Sequence, residues 1–224
     1  ARHGLLSAEE SRKHTPWQRF VMEQPNDLWQ MDFKGDFLMG SGQRCHPLTV
    51  LDDHSRFLVG LKACSNETID TVQGHVTALF REFGLPARML MDNGNPWGGS
   101  PEYPYTRFTV WLLRLGIPVS HGRPYHPQTQ GKDERLHRTL KDELLNFSCC
   151  DTLDGYQSRF DYWRMVYNHE RPHHALDLDP PGANPEPVRR AGDVRGACAR
   201  DERLGRRAAG VDAGAAEVAA LGEE

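Results

Sequence analysis

The 224-residue chain lacks any apolar run long enough to cross a membrane, a crossing that takes about 20 apolar residues as a helix. Its opening residues, ARHGLLSAEESRKHTPW, also lack the apolar core of a signal peptide. The five cysteines form no CxxC pair and no recognisable zinc spacing, so they read as reduced thiols rather than metal ligands. These absences predict a cytoplasmic protein with no membrane partner.

An excess of positive charge is also missing, because the formal net charge is −4. That balance argues mildly against a nucleic-acid partner, but phosphate contacts depend on local charge more than on the global sum. Residues 121–141 carry five Lys or Arg side chains against two acids. The sequence therefore permits nucleic-acid binding at one basic strip.

Aromatic residues and apolar periodicity are absent after Leu176, where Ala, Gly, Arg, Asp, Glu, Pro and Val dominate. Such a composition buries too little apolar surface to offset chain entropy, and it predicts a disordered tail over residues 177–224. The same bias is what an out-of-frame reading of GC-rich DNA would produce. We interpret residues 1–24 as a linker left from an upstream region, which leaves one domain over residues 25–176.

Regular periodicity appears between these two ends. A 3, 4, 3, 4 spacing of apolar residues predicts one helix from Ile69 to Phe83, with Asn66 as its N-cap. The same spacing recurs from Leu153 to Tyr167, with Asp151 or Thr152 as the cap. Residues 28–38, 46–51 and 57–63 predict an antiparallel meander of three strands.

The segment GKDERLHRTLKDELL, residues 131–145, has the pattern of an amphipathic helix. Glu134, Arg138 and Lys141 fall on one face, and Leu136, Leu140 and Leu144 form an apolar stripe opposite. Taken alone, Glu134 and Arg138 are equally an ordinary surface pair four residues apart. A functional interpretation therefore needs support from other parts of the chain.

Two aspartates lie in apolar surroundings where carboxylates are costly. Asp32 sits in the strand-like run LWQMDF, and Asp92 ends the run ARMLMD before Asn93 and Gly94. A buried carboxylate needs a partner or a metal ion, although a turn cap or a strand-end acid facing water would also fit the pattern. Together with Glu134 they form a candidate constellation of three acids.

The motifs WQMDF, LMDNG and HPQTQGKDERLHRTLKDEL occur in this order, and LDDHSRF, RPYHPQTQGK and YNHERPHHAL accompany them. Over residues 25–176 the chain resembles DDE transposases and retroviral integrases, above all bacterial insertion-sequence transposases. The resemblance implies an α/β fold, namely a ribonuclease-H-like mixed five-stranded sheet flanked by helices. It also implies a nucleoid-associated protein that acts as a homo-oligomer on double-stranded DNA.

By the same resemblance, Asp32, Asp92 and Glu134 are the catalytic triad and the ligands of two Mg²⁺ (or Mn²⁺) ions. Hard carboxylate oxygens suit Mg²⁺, and two ions can assist an in-line phosphoryl displacement at transposon ends and target DNA. The expected DNA-phosphate contacts are Lys132, Arg135, Arg138 and Lys141. The expected rim of the active site comprises Asn93, His126 and Gln128.

Two other functions stay open at this stage. A ribonuclease-H-type nuclease would use a similar carboxylate site on an RNA–DNA hybrid, although the order Asp, Asp, Glu favours a transposase. A decayed transposase remnant would bind DNA without cleaving it. Nicking or strand transfer that depends on a divalent ion would separate these alternatives.

Overall fold

A computed structural model describes residues 21–98, 104–121, 131–147 and 150–183. Six strands form one mixed sheet in which β4, β3, β1, β5 and β6 lie side by side and β2 also pairs with β3. In chain order the strands are β1 (Trp29–Phe33), β2 (Phe37–Leu38), β3 (Arg44–Asp52), β4 (Leu58–Cys64), β5 (Met89–Met91) and β6 (Val119–His121). The meander β1–β3–β4 is antiparallel, and β1, β5 and β6 run parallel.

The single first strand expected over residues 28–38 is wrong, because β1 and β2 are separate. Both pair with β3, and the chain leaves the ladder between them at Gly35, whose φ is +89°. A left-handed backbone of this kind interrupts a strand, and glycine adopts it without a steric penalty. With the two-residue β2, the described part of the chain has six strands, one more than the five predicted.

Within the described residues, four α-helices cover the two faces of the sheet: α1 (Ile69–Phe83), α2 (Arg107–Arg114), α3 (Gly131–Leu140) and α4 (Leu153–His169). The helix α3 continues into one π-helical turn, Lys141–Leu145. Side chains of α1 and α2 pack with Trp29 and Met31 in one apolar cluster. Side chains of α3 and α4 pack with Leu51 and Leu58 in a second cluster. The result is a three-layer arrangement with the sheet in the middle.

The periodic helices form where the sequence predicts them, and one of the two predicted caps differs. The Thr152 side chain caps α4 by accepting from the Gly155 N–H, as expected. The cap of α1 is Thr68 instead of Asn66, because the Thr68 hydroxyl accepts from the Thr71 N–H. The Asn66 carboxamide instead accepts from the Thr68 N–H at 3.1 Å. It therefore supports the capping residue without being the cap.

The described residues continue past the domain boundary predicted at residue 176. A short 3₁₀ turn, Pro181–Ala183, follows α4, and Pro181 is buried. At Gly182 a Cβ atom would come within 2.9 Å of the Asn168 carbonyl oxygen, so this turn packs closely on the end of α4. The remainder of the predicted tail, residues 184–224, and most of the predicted linker, residues 1–20, lie outside the described residues. In the part that the structure describes, no helix combines the length and apolar character required to span a membrane.

Phe160→Ala should lower the free energy of unfolding by about 3–5 kcal/mol, since it removes a large side chain from a filled core. Phe160 is fully buried on α4 among the side chains that also hold α3. Chemical denaturation measures the change, and Phe147→Ala is the matched control because Phe147 is 80% exposed. Equal losses in the two variants would contradict the packing described for this face.

Candidate active site

Asp32 and Asp92 are brought together by the register of two neighbouring parallel strands. Trp29 pairs with Met89 and Gln30 with Leu90, so each aspartate lies three residues beyond the first pair. Residues in register on adjacent parallel strands project from the same face of a sheet. The charge of Asp92 accordingly raises the pKa of the Asp32 carboxyl. The two carboxylates predicted from separate motifs thus share one site.

The environment of Asp32 disfavours its charged form. Burial, followed by the charge of Asp92 and a smaller effect of Glu67, raises the pKa of Asp32 to about 7. A hydrogen bond from the Phe33 N–H and the charge of Lys34 act in the opposite direction. The side chain is still 25% exposed, so solvent and small ions can reach it. A divalent cation would relieve the repulsion between the two carboxylates, and hard oxygen donors suit such an ion.

Asp92 is held by groups that the motif LMDNG alone does not reveal. Its Oδ1 accepts from the Trp97 indole N–H at 2.5 Å and from the Gly94 N–H at 2.9 Å. Trp97 is buried and stacks on Phe33 with 5.4 Å between the ring centroids. A Cβ atom at Gly94 would lie 2.9 Å from Oδ2, so a larger residue there would displace the carboxylate. Trp97 and Gly94 therefore fix the orientation of Asp92.

Helix α3 carries the third predicted carboxylate. The exposed face predicted for it is confirmed, with Glu134, Arg135, Arg138 and Lys141 all exposed. The buried face departs from the predicted leucine stripe. Leu136 and Leu140 are buried and Leu144 is half-buried, but Asp133 and His137 lie on the same buried face. The face of α3 that meets the sheet is therefore partly polar.

The first turn of α3 lies beside Asp32 through Asp133 rather than through Glu134. Asp133 is 2% exposed, and its pKa is raised by burial, then by the charges of Asp32 and Asp53. Glu134 is exposed to solvent on the same turn. Among the described residues, no three His, Cys, Asp or Glu side chains lie close enough to hold a metal ion. The structure thus pairs two of the predicted acids and places the helix that bears the third next to them.

His137 connects α3 to β3, the strand that pairs with the one carrying Asp32. Its Nε2 lies 2.8 Å from the Thr49 hydroxyl, which itself donates to the Asp32 carbonyl oxygen at 3.0 Å. Because the hydroxyl proton is used in that way, Nε2 carries the proton and donates to Thr49. Burial, then the charge of Lys34, lowers the pKa of His137 to about 4, so the ring is neutral near pH 7. No sequence motif pointed to this role.

The remaining predicted residues occupy different positions. The ammonium of Lys132 forms an ion pair with the buried Asp53 carboxylate, and burial lowers the pKa of Lys132. Asn93 is exposed directly after Asp92, and its place on the rim of the active site stays a prediction. His126 and Gln128 lie outside the described residues. Of the predicted basic residues, Arg135, Arg138 and Lys141 are therefore the ones that face solvent.

Asp32→Asn should stabilise the metal-free protein at about pH 8 by up to about 4 kcal/mol, the free energy that corresponds to a carboxyl pKa raised from 3.8 to about 7. A raised carboxyl pKa destabilises the fold fully above the folded-state value, and this penalty disappears as the pH falls towards the unfolded-state value. The gain should therefore shrink at about pH 5. Thermal unfolding with a chelator measures it, and Asp142→Asn, a change at an exposed acid, is the control. A gain that does not change with pH would contradict the raised pKa.

Comparison with known proteins places this chain in a family. Two family models, both described as the integrase core domain, match residues 22–127 and 115–181. The chain is 28% identical over 163 residues to the insertion element IS407 uncharacterized 31.7 kDa protein of Burkholderia multivorans, covering 68% of this chain and 53% of that protein. It is 30% identical over 169 residues to the insertion element IS476 uncharacterized 39.2 kDa protein of Xanthomonas euvesicatoria, covering 70% and 43%. The chain thus spans about half the length of these two relatives.

Solved structures share the fold. The catalytic core domain of HTLV-2 integrase, in its trimeric complex with magnesium, superposes with a TM-score of 0.51 at 16% identity, over 71% of this chain and 95% of that one. The catalytic core domain of BIV integrase superposes with a TM-score of 0.51 at 23% identity, over 70% and 92%. The predicted ribonuclease-H-like fold, a mixed sheet flanked by helices, is therefore confirmed. With two family models that together span residues 22–181, the chain belongs to the integrase core domain family.

Proposed function

We propose that this chain is the catalytic core of a DDE-type transposase that cleaves DNA strands at transposon ends and joins them to target DNA. The observation that carries the proposal is the side-by-side placement of Asp32 and Asp92, with the pKa of Asp32 raised to about 7. A carboxyl whose pKa is raised by burial and a specific charged neighbour is a feature of functional sites. The sequence relatives from insertion elements support DNA transposition as the process.

Asp32, Asp92 and Glu134 would hold two Mg²⁺ or Mn²⁺ ions. The donor set fits, because carboxylate oxygens are hard ligands and the Asp92 Oδ1 is already oriented by Trp97 and Gly94. When bound, such ions activate the attacking hydroxyl group and stabilise the leaving oxygen of a phosphodiester. Water would be the nucleophile in cleavage, and the freed 3′-OH would be the nucleophile in strand transfer.

Each carboxylate would have a distinct position in this site. Asp32 lies between the other two elements, since β1 pairs with β5 and also contacts α3, and it would supply carboxylate oxygens to the ions at the centre of the site. Asp92 is locked in place by Trp97. Glu134 is exposed, and its side chain would turn towards the site when the ions and DNA are present. The fixed pair would set the geometry, and Glu134 would complete it.

The exposed basic row of α3 would position the DNA backbone. Arg135, Arg138 and Lys141 are exposed on the helix that carries Glu134, so phosphates held there would lie next to the carboxylates. Such contacts fix the register of DNA without reading its sequence. The HTLV-2 core is described in a trimeric form, and we propose that this chain also works as a homo-oligomer on DNA.

A remnant that binds DNA without cleaving it is the alternative function. One observation favours it, namely that no three metal-binding side chains are assembled within the described ranges. The two proposals differ in a single measurement. Cleavage of terminal-repeat DNA that requires Mg²⁺ or Mn²⁺ supports the enzyme, whereas DNA binding without cleavage supports the remnant.

Asp32→Asn, Asp92→Asn and Glu134→Gln should each reduce Mg²⁺-dependent nicking at least about 100-fold while DNA binding is retained, because a lost metal ligand removes several kcal/mol of transition-state stabilisation. Asp142→Asn is the matched control on an exposed acid. Asp133→Asn tests the neighbouring acid and should keep measurable nicking. If Asp133→Asn abolishes nicking and Glu134→Gln does not, Asp133 replaces Glu134 as the third carboxylate.

Lys141→Met should weaken binding to DNA of any sequence and lower the slope of log K against log salt by about 1, since one phosphate contact is lost. Fluorescence anisotropy with a labelled duplex at several salt concentrations measures the slope. The proposed role concerns phosphates, so random-sequence DNA should show the same change as terminal-repeat DNA. An unchanged slope would show that this exposed row does not contact DNA.

A further inference from the structure

Asp53 is a fully buried carboxylate in the turn between β3 and β4. It accepts hydrogen bonds from the Met22 N–H at 2.9 Å and from the Gln30 side-chain amide at 2.5 Å. Its third partner is the ammonium of Lys132, which also lies 3.4 Å from the Asp53 carbonyl oxygen. The proposed chemistry uses none of these groups, yet Lys132 stands only two residues before Glu134.

The ion pair joins three separate parts of the chain. Gln30 lies on β1, two residues before Asp32 and on the same face of the strand. Lys132 lies in the first turn of α3, and Asp53 connects the two. The first turn of α3 is thus linked to the strand that carries the first catalytic carboxylate.

A second polar contact holds the same helix further along the chain. His137, five residues after Lys132, donates to Thr49 on β3, whose hydroxyl reaches the Asp32 carbonyl oxygen. The Lys132–Asp53 ion pair and the His137–Thr49 hydrogen bond together restrict the rotation of α3 about its axis and its position along the sheet. Apolar contacts of Leu136 and Leu140 are less directional and would tolerate a small rotation. The rotation of α3 decides where Glu134 points.

The energetics of a buried ion pair fit such a role. Two charges taken out of water gain little net stability over a well-packed apolar pair, but loss of one partner is strongly destabilising. In some well-studied proteins a buried polar or ionic group fixes the register between packed elements, and the Lys132–Asp53 pair fits that use. Lys132 and Asp53 therefore serve geometry more than stability.

The same geometry argues against a phosphate contact by Lys132, which the sequence alone had predicted. The Lys132 side chain is 19% exposed, whereas Lys141 on the same helical segment is exposed. A phosphate could bind the Lys132 ammonium only by removing it from Asp53. That exchange would leave a buried carboxylate without its cationic partner, at considerable cost.

We infer that the Lys132–Asp53 ion pair is a positioning device that locks the first turn of α3, and with it Glu134, onto the strand that carries Asp32. Lys132 acts through the position of the helix and does not contact DNA. The inference rests on the proposed function only where Mg²⁺ or cleavage is measured. A misplacement of about 1 Å at a reacting centre can cost about 100-fold in rate, so a loosened first turn should be visible in activity.

The test compares Lys132→Met and Asp53→Asn with Lys141→Met, which is the same substitution as the first at an exposed lysine. Three quantities are measured: the salt slope of DNA binding, the hydrogen exchange of residues 131–140, and the rise in thermal midpoint caused by Mg²⁺. Leu112→Ala, a buried change on the opposite face of the sheet, controls for a general loss of stability. Lys132→Gln, which keeps a hydrogen bond to Asp53, serves as a milder variant if Lys132→Met does not fold.

We expect Lys132→Met and Asp53→Asn to speed exchange in residues 131–140, to reduce the Mg²⁺-induced rise in midpoint and to leave the salt slope unchanged. Leu112→Ala should keep the Mg²⁺-induced rise. The double variant that combines Lys132→Met with Asp53→Asn should lose no more of this rise than either single variant. Lys132→Gln should show a smaller effect than Lys132→Met. A salt slope that falls by about 1 in Lys132→Met and Lys132→Gln, with exchange unchanged, would overturn the inference and restore the phosphate contact. If the wild-type protein shows no response to Mg²⁺, the proposed function fails, while exchange and salt slope still decide the role of Lys132.

Discussion

The carboxylates of Asp32 and Asp92 lie side by side near the ends of neighbouring parallel strands, where they repel each other. The contacts around them hold them in place against this repulsion. This repulsion contributes to the raised pKa of Asp32, because burial and then the charge of Asp92 raise that pKa to about 7. Hydrogen bonds oppose that repulsion at Asp92, whose carboxylate accepts from the Trp97 indole N–H and the Gly94 N–H. The sheet sets the spacing, and the loop after β5 sets the orientation.

Much of this was predictable from the sequence because local periodicity and motif order carry the information. The helix from Ile69 to Phe83 follows from its apolar spacing. The position of Asp32 in a strand, and of Asp92 directly after one, follows from their apolar neighbours. The exposed face of Glu134 follows from helical geometry. Each of these features depends on residues close together in the chain.

The features that sequence reasoning missed depend on contacts between distant segments. Asp133 and His137 are polar residues of a helix, and the sequence does not show that their neighbours across the interface are Asp32 and Thr49. Lys132 reads as part of a basic row until its ammonium is seen beside Asp53, 79 residues earlier. A helical wheel gives the direction in which a side chain leaves the helix axis. It does not show which residues of the sheet that side chain will meet. The third carboxylate and the DNA contacts therefore remain predictions.

The hydrogen bond between Trp97 and Asp92 has an optical consequence. An indole N–H that donates at 2.5 Å to a carboxylate experiences the full electric field of that charge. A cation that binds Asp92 changes this field at a ring that is itself buried and stacked on Phe33. The absorption and emission of Trp97 would shift with the occupancy of the site. Trp97, one of the chain's five tryptophans, thus lies next to the proposed metal site, where ultraviolet light could follow the arrival of an ion without any added label.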